Sequence, residues 1–124
     1  MPALSFKKQF IDRIVRGEKS QTIRAERKRP FKKGDRLFLY TGMRTNQCQK
    51  LGEADCLMVY EIKINQKGEV FIENNKLSEE QKNHLAVADG FNTEEEMVTW
   101  FERTHGIPFK GQLIFWHNFT SQKQ

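Results

Sequence analysis

Lys19, Thr22 and Arg24 place an amine, a hydroxyl and a guanidinium within six residues of one another. An amine that has lost its proton acts as a general base, and a neighbouring hydroxyl acts as a nucleophile once its proton is removed. A guanidinium binds a carboxylate or a phosphate through paired hydrogen bonds. The three side chains therefore have the chemistry needed either to cleave an acyl bond or to hold an anionic ligand.

The spacing of these residues leaves both structural and functional interpretations open. Residues three apart on a strand point to opposite faces, so Lys19 and Thr22 converge only if the chain turns between them, as at a helix-to-strand junction. Without that turn, Lys19 is a solvated lysine and Thr22 an ordinary strand residue. Arg24 either binds an anion or pairs with an internal acid such as Asp35.

A strongly basic segment begins at Arg24. Residues 24–36 hold seven Lys or Arg and two acidic residues, so their net charge equals the +5 of the whole chain. A concentrated positive charge favours an anionic partner such as nucleic acid, although a solvated charged surface is the alternative. The candidate phosphate contacts are Arg24, Arg27, Lys28, Arg29, Lys32, Lys33 and, from a later loop, Arg44.

Length and composition predict one globular domain over residues 1–124. Hydrophobic residues make up 37% of the chain and ten are phenylalanine, which argues against disorder. Cys48 and Cys56 stand without a CxxC or His cluster, so we predict reduced thiols, no metal and no cofactor. No apolar run is long enough to span a membrane, and residues 1–8 lack a signal-peptide core, which predicts a cytoplasmic location.

Apolar periodicity and capping residues predict the elements. A first helix carries Phe6 to Val15 and stops at Gly17. Ser78 and Thr93 each begin a capping box, which predicts one helix ending near Asp89 and another ending near residue 105. Strands are predicted over residues 20–25, 36–41, 54–64, 70–72 and 112–119, followed by a loose tail from about residue 120.

The order of these elements predicts the fold class. Strands dominate and do not alternate regularly with helices, which argues against a doubly wound parallel sheet. We predict an α+β fold, a small β-barrel with helices packed at its rim. Phe38, Leu113 and Trp116 are expected to face its core.

Five short motifs, in this order, resemble the ASCH (activating signal cointegrator homology) domain family. They are Gly17-x-Lys19-x-x-Thr22-Ile23-Arg24, Lys33-Gly34-Asp35, Tyr40-Thr41-Gly42, Asp89-Gly90-Phe91 and Gly111-x-Leu113-Ile114-x-Trp116. Together they span nearly the whole chain. The resemblance implies a PUA-like barrel with a cleft suited to RNA or a nucleoside.

The resemblance also implies a catalytic hypothesis. One branch of the family hydrolyses the acetyl amide of N(4)-acetylcytidine with a Lys, a Thr and a Glu. Lys19 and Thr22 match the first two positions, and Asp89 is the acid nearest the third. Other members are thought to bind or cleave RNA.

We therefore predict that the chain binds single-stranded RNA or a modified nucleoside. The alternatives are an amidohydrolase acting on an acylated cytidine through Lys19, Thr22 and Asp89, an RNA-cleaving enzyme and, less favoured by the basic segment, a protein–protein adaptor.

Overall fold

Seven strands, three α-helices and one short 3₁₀ helix make up the regular structure of residues 2–122, the part of the chain that the computed structural model describes. The strands are β1 (Ala3–Phe6), β2 (Gln21–Ala25), β3 (Arg36–Thr41), β4 (Gln49–Ile64), β5 (Val70–Ile72), β6 (Asn75–Lys76) and β7 (Phe109–Ser121). The helices are α1 (Ile11–Val15), α2 (Glu79–Asp89) and α3 (Glu94–Thr104).

Side-chain caps fix the starts of both long helices. The Ser78 hydroxyl accepts from the Gln81 backbone N–H at 3.1 Å, and the Gln81 side chain accepts from the Ser78 N–H at 2.9 Å. This reciprocal pair satisfies two N–H groups at the start of α2. The Thr93 hydroxyl accepts from the Glu96 N–H at 3.1 Å at the start of α3. The predicted starts of both helices are confirmed.

The described residues divide into two compact units. The first contains residues 2–20, Phe31–Met58 and 115–122, and the second contains Gln21–Pro30 and Val59–Ile114. A single domain over residues 1–124 stays a prediction.

In the first unit, β3 pairs with β1 in parallel and with β4 in antiparallel orientation. Leu37 and Leu39 are fully buried, and Trp116 packs edge-on against Phe6 with the ring centroids 5.7 Å apart. The prediction that Phe38 faces the core is wrong. Alternation along β3 turns Phe38 to the other face, where the Lys50 ammonium lies 5.2 Å from its ring centroid.

The first helix in the structure, α1, is shorter than the apolar pattern predicts. Phe6 ends β1, where its carbonyl accepts from the Thr41 hydroxyl at 2.8 Å, and a short 3₁₀ helix precedes α1. The start of the predicted helix therefore belongs to a paired strand, although its apolar residues have helical spacing. At the other end, β7 continues to Ser121 and the Gln122 N–H donates to the Leu51 carbonyl at 2.8 Å. The predicted loose tail otherwise falls on residues 123–124, outside the described residues.

In the second unit, β2 pairs with β7, and β4, β5 and β6 form an antiparallel set. The Glu26 N–H donates to the Lys110 carbonyl at 3.2 Å, which extends the β2 pairing by one residue. Helix α2 packs against both β2 and α3. Leu85 of α2 and Met97 and Phe101 of α3 are buried, so these helices contribute apolar residues to the core of this unit.

The mixture of parallel and antiparallel pairs, together with three helices, defines an α+β fold with a barrel-like sheet. The predicted fold class is confirmed. In the part of the chain covered by residues 2–122, no helix has both the length and the apolar character needed to cross a membrane.

Candidate functional site

Strand β2 brings the hydroxyl of Thr22 and the guanidinium of Arg24 together. Residues two apart on a strand share a face, so the two side chains project to the same side. The Nε–H of Arg24 donates to Oγ1 of Thr22 at 3.2 Å. Thr22 is only 5% exposed, so this hydrogen bond forms in a largely desolvated environment.

The carboxylate of Asp89 completes this cluster. Asp89 is the last residue of α2, the helix that packs against β2, and it is 8% exposed. Burial lowers the pKa of Arg24 below its ordinary value, while the negative charge of Asp89 acts in the opposite direction. A hydroxyl, a guanidinium and a carboxylate are therefore grouped in one largely buried place, hereafter the Thr22–Arg24–Asp89 cluster.

An internal carboxylate lies near Arg24, as one of the two sequence-based interpretations expects, but it belongs to Asp89 and not to Asp35. Asp89 is the acid whose charge acts on this guanidinium. Asp35, the acid suggested from the sequence, instead accepts a hydrogen bond from the backbone N–H of Lys32 at 2.9 Å. Chemically, a cation beside Oγ1 of Thr22 stabilises negative charge on that oxygen, which favours both anion binding nearby and loss of the hydroxyl proton.

Lys19 belongs to the first unit. Gly17 adopts a left-handed φ of 79°, and the backbone N–H of Lys19 donates to the Arg13 carbonyl at 3.0 Å, so the chain reverses at the end of α1. The Lys19 side chain is 3% exposed, and its ammonium lies 5.1 Å from the ring centroid of Phe10 and 6.0 Å from that of Phe6. This reversal precedes Lys19, whereas the turn that would bring Lys19 and Thr22 together has to lie between those two residues.

The remaining predicted phosphate contacts are exposed side chains. Arg27, Lys28 and Arg29 follow β2 in the second unit. The other three predicted contacts, Lys32, Lys33 and Arg44, are exposed in the first unit. Arg44 has a left-handed φ of 68° in a loop where the Thr45 hydroxyl donates to the Gly42 carbonyl at 2.6 Å. Exposure suits all six cations for contact with an anionic partner.

A groove of about 700 Å³ opens where β2 ends, and sequence reasoning missed it. Its lining residues are Glu26, Arg27, Lys28, Pro30, Glu61, Gly111 and Gln112. Lys110 beside it binds Glu26 at 3.2 Å and approaches Glu61 at 3.7 Å. The hydrogen bond to Glu26 raises the pKa of Lys110. No local motif indicates the groove, because Glu61 and Gln112 come from strands that are distant in sequence.

Gln21 is a second residue that the sequence did not single out. It is 6% exposed, and within the described part of the chain nothing accepts a hydrogen bond from its amide nitrogen. Such a donor is costly to bury, and an ordered water or ligand commonly satisfies it.

As for metals, residues 2–122 contain no group of three or more His, Cys, Asp or Glu placed to hold an ion.

Comparison with solved structures defines the fold family. The crystal structure of the ASCH protein from Zymomonas mobilis matches 96% of this chain and 68% of its own, with a TM-score of 0.59 and 13% identity. Two point mutants of that protein match with a TM-score of 0.60 and 14% identity, the more extensive match covering 98% of this chain and 71% of that one. The chain has an ASCH-like fold.

The ASCH-like fold confirms what the sequence motifs imply about architecture. No protein-family model matches the chain, and neither does any curated protein. At 13–14% identity the likeness concerns the fold alone. The features of this chain that bear on its function are therefore the cluster, the exposed cations and the groove.

Proposed function

We propose that this ASCH-like chain binds single-stranded RNA or a modified nucleoside at the Thr22–Arg24–Asp89 cluster. The observation that carries the proposal is the largely buried guanidinium of Arg24 between a hydroxyl and a carboxylate. Burying a charged pair is expensive, and apolar residues of similar volume often give equal or greater stability. A ligand-binding role gives a reason for that cost, because the same groups offer donors and an acceptor to a nucleoside.

The charge distribution supports an RNA partner. Arg27, Lys28 and Arg29 are exposed directly after the strand that carries Thr22 and Arg24. Flexible exposed cations release counterions from a phosphate backbone, and this release drives much of the affinity for single strands. Two aromatic rings lie within about 6 Å of the Lys19 ammonium, an arrangement that interacts favourably with a cation.

Fluorescence anisotropy with labelled single-stranded RNA tests the binding proposal. Arg24→Met is expected to weaken binding on the order of tenfold, the scale of a lost charge-assisted hydrogen bond. Thr22→Ala keeps the charge and serves as a second, milder variant. Arg103→Met removes one exposed cation from α3 and is the matched control. Equal affinity of Arg24→Met, Thr22→Ala and Arg103→Met, each folded by circular dichroism, would contradict the proposal.

An amidohydrolase acting on an acylated cytidine is the second candidate, favoured by the hydrogen bond from Arg24 to the Thr22 hydroxyl oxygen. In this mechanism Lys19, as a neutral amine, takes the hydroxyl proton and Oγ1 attacks the acyl carbonyl. The bond to the N4 amine breaks, and the amine receives the proton from Lys19 or Asp89. Water then hydrolyses the acyl-threonine to release the carboxylic acid.

Chain length permits the contact that this mechanism needs. Three residue steps separate Lys19 from Thr22, which keeps their α-carbons within about 11 Å of each other on any path. Incubation with N(4)-acetylcytidine, cytidine and a short RNA, followed by mass spectrometry, tests the reaction. If the chain is a hydrolase, the acetylcytidine should lose one acetyl group. The rate should fall on the order of a hundredfold or more in Lys19→Ala and in Thr22→Ala, whereas Thr22→Ser should keep partial activity.

Each result of this incubation favours a different function. Shortened RNA would favour cleavage of the chain, and unchanged substrates would remove both enzymatic candidates while leaving the binding proposal standing. An acetylcytidine signal that falls equally in wild type and Thr22→Ala would contradict the covalent step.

A further inference from the structure

The groove at the end of β2 has the size and the chemistry of a nucleotide site. Its volume of about 700 Å³ falls within the range of pockets that hold small molecules. Its lining contains both cations, Arg27 and Lys28, and carboxylates, Glu26 and Glu61. A purely phosphate-binding surface would not place carboxylates there, because they repel the phosphate.

Strand β2 connects the groove with the Thr22–Arg24–Asp89 cluster. Alternation places Thr22, Arg24 and Glu26 on the same face, and the Glu26 pairing with Lys110 continues the ladder. Four residues of strand span about 13 Å, so a ligand that follows β2 from Thr22 reaches the groove within that length. Gly111 forms part of the groove lining opposite this strand, where any Cβ would collide with the Arg24 carbonyl.

The Glu61 carboxylate already takes part in two ion pairs and keeps further lone pairs that can accept from a ligand. Its oxygens meet the ammonium groups of Lys63 and Lys110 at 3.5 and 3.7 Å, which are ion-pair distances longer than an N–H···O hydrogen bond. Its side chain is 35% exposed, so an incoming ligand can reach it. Gln112, in the same lining, adds an amide that both donates and accepts.

We infer that the groove binds a guanine nucleotide of a single-stranded RNA, next to the nucleotide held at the cluster. The N1–H and N2–H donors on the Watson–Crick edge of guanine face the two oxygens of Glu61. Uracil presents a single N–H between two carbonyls on that edge, and cytosine and adenine each present an amino group beside a ring-nitrogen acceptor, so none of the three offers a carboxylate two adjacent donors. Arg27 and Lys28 contact the adjoining phosphate. This inference rests on the proposed RNA binding and adds a sequence preference to it.

A set of RNA pentamers tests the preference. A uridine pentamer is compared with five versions that carry one guanosine at each position, by anisotropy at fixed salt. Guanosine at one position is expected to raise affinity about tenfold, the scale of a bidentate contact to a base edge. Glu61→Gln is expected to remove that gain, whereas Glu80→Gln, which changes an exposed acid of α2, keeps it.

The possible outcomes separate this inference from the proposed function. Binding of all pentamers with equal affinity, or a guanosine gain that survives Glu61→Gln, overturns the inference and leaves RNA binding intact. If no pentamer binds, the proposed function fails, and the groove is tested directly with guanosine and uridine monophosphates by NMR. Saturable shifts of the Gly111 and Gln112 amides with guanosine monophosphate alone support the inference, and unchanged amides overturn it.

Discussion

At the residue scale, the chain groups three polar side chains whose roles were suggested by their types. Thr22 and Arg24 share a face of β2, and Asp89 reaches them from the end of α2. Strand alternation makes the first pairing predictable from the sequence. The contribution of Asp89 follows from the packing of α2 on β2, and only the family motif, not the spacing, indicated it.

Removal of Asp89 tests how tightly this cluster is coupled. Asp89→Ala leaves the buried guanidinium of Arg24 without its nearby carboxylate, which should lower the free energy of unfolding by about 3 kcal/mol. The Asp89→Ala/Arg24→Met double variant should recover part of that loss, because no unpaired charge remains. Urea unfolding of the four proteins in this cycle gives the coupling energy. Additive losses would show that the two side chains do not interact.

At the element scale, the sequence predicts helix starts better than strand boundaries. Ser78 and Thr93 cap their helices through bonds between residues close in the chain, so the local pattern suffices. Strand β1 was missed and Phe38 was assigned to the wrong face. Both depend on pairing with residues more than thirty positions away, such as Phe6 with Thr41, and apolar spacing carries no information about that.

The close approach of β2 and β7 gives a prediction for Gly111. A Cβ at this position would collide with the Arg24 carbonyl, so Gly111→Ala should lower the free energy of unfolding by about 2 kcal/mol or more. The same substitution should weaken RNA binding, because it displaces β2. Gly106→Ala is the control, since open space surrounds Gly106 and only its positive φ of 80° opposes a side chain. Thermal unfolding that ranks Gly106→Ala as the more harmful substitution would contradict this packing.

Cross-strand pairing in the first unit predicts a pH dependence. Arg36 binds Asp55 at 2.7 Å and Glu53 at 3.1 Å between β3 and β4. Hydrogen bonds from Arg36 and then Asn118 lower the pKa of Asp55, and those from Lys50 and then Arg36 lower the pKa of Glu53. Because these pKa values are lower in the folded state, their stabilisation is present above the unfolded values and is lost as pH falls through the folded ones.

Arg36→Met should therefore reduce the dependence of stability on pH in acid. Denaturation midpoints measured between about pH 5 and pH 3 span the ordinary range of carboxyl titration. The wild type should lose more stability over this interval than Arg36→Met, and the difference between the two should narrow as the pH falls. Added salt should narrow the difference, because these groups are exposed to solvent. Parallel pH profiles would contradict a role for the Arg36 pairs.

At the scale of the whole molecule, the concentrated positive charge favours an anionic ligand. The net charge of +5 equals that of residues 24–36, and the ASCH-like fold matches that of the Zymomonas mobilis protein. The charge pattern and the fold class were both accessible from the sequence. The groove was not, because it joins Glu26, Glu61 and Gln112 from three separate segments. The groove forms only where these segments meet in the folded sheet, and the sequence pattern did not reveal which strands pair with each other.

The salt dependence of RNA affinity tests the central claim most directly. If about five phosphates of a single strand are neutralised, the logarithm of the association constant should fall with the logarithm of salt concentration with a slope of roughly −3.5. Replacing Arg27, Lys28 and Arg29 by Ala should make that slope shallower by about 2, because three contacts are lost. An affinity that does not change with salt, or a slope unchanged by the triple substitution, would contradict RNA binding through this segment.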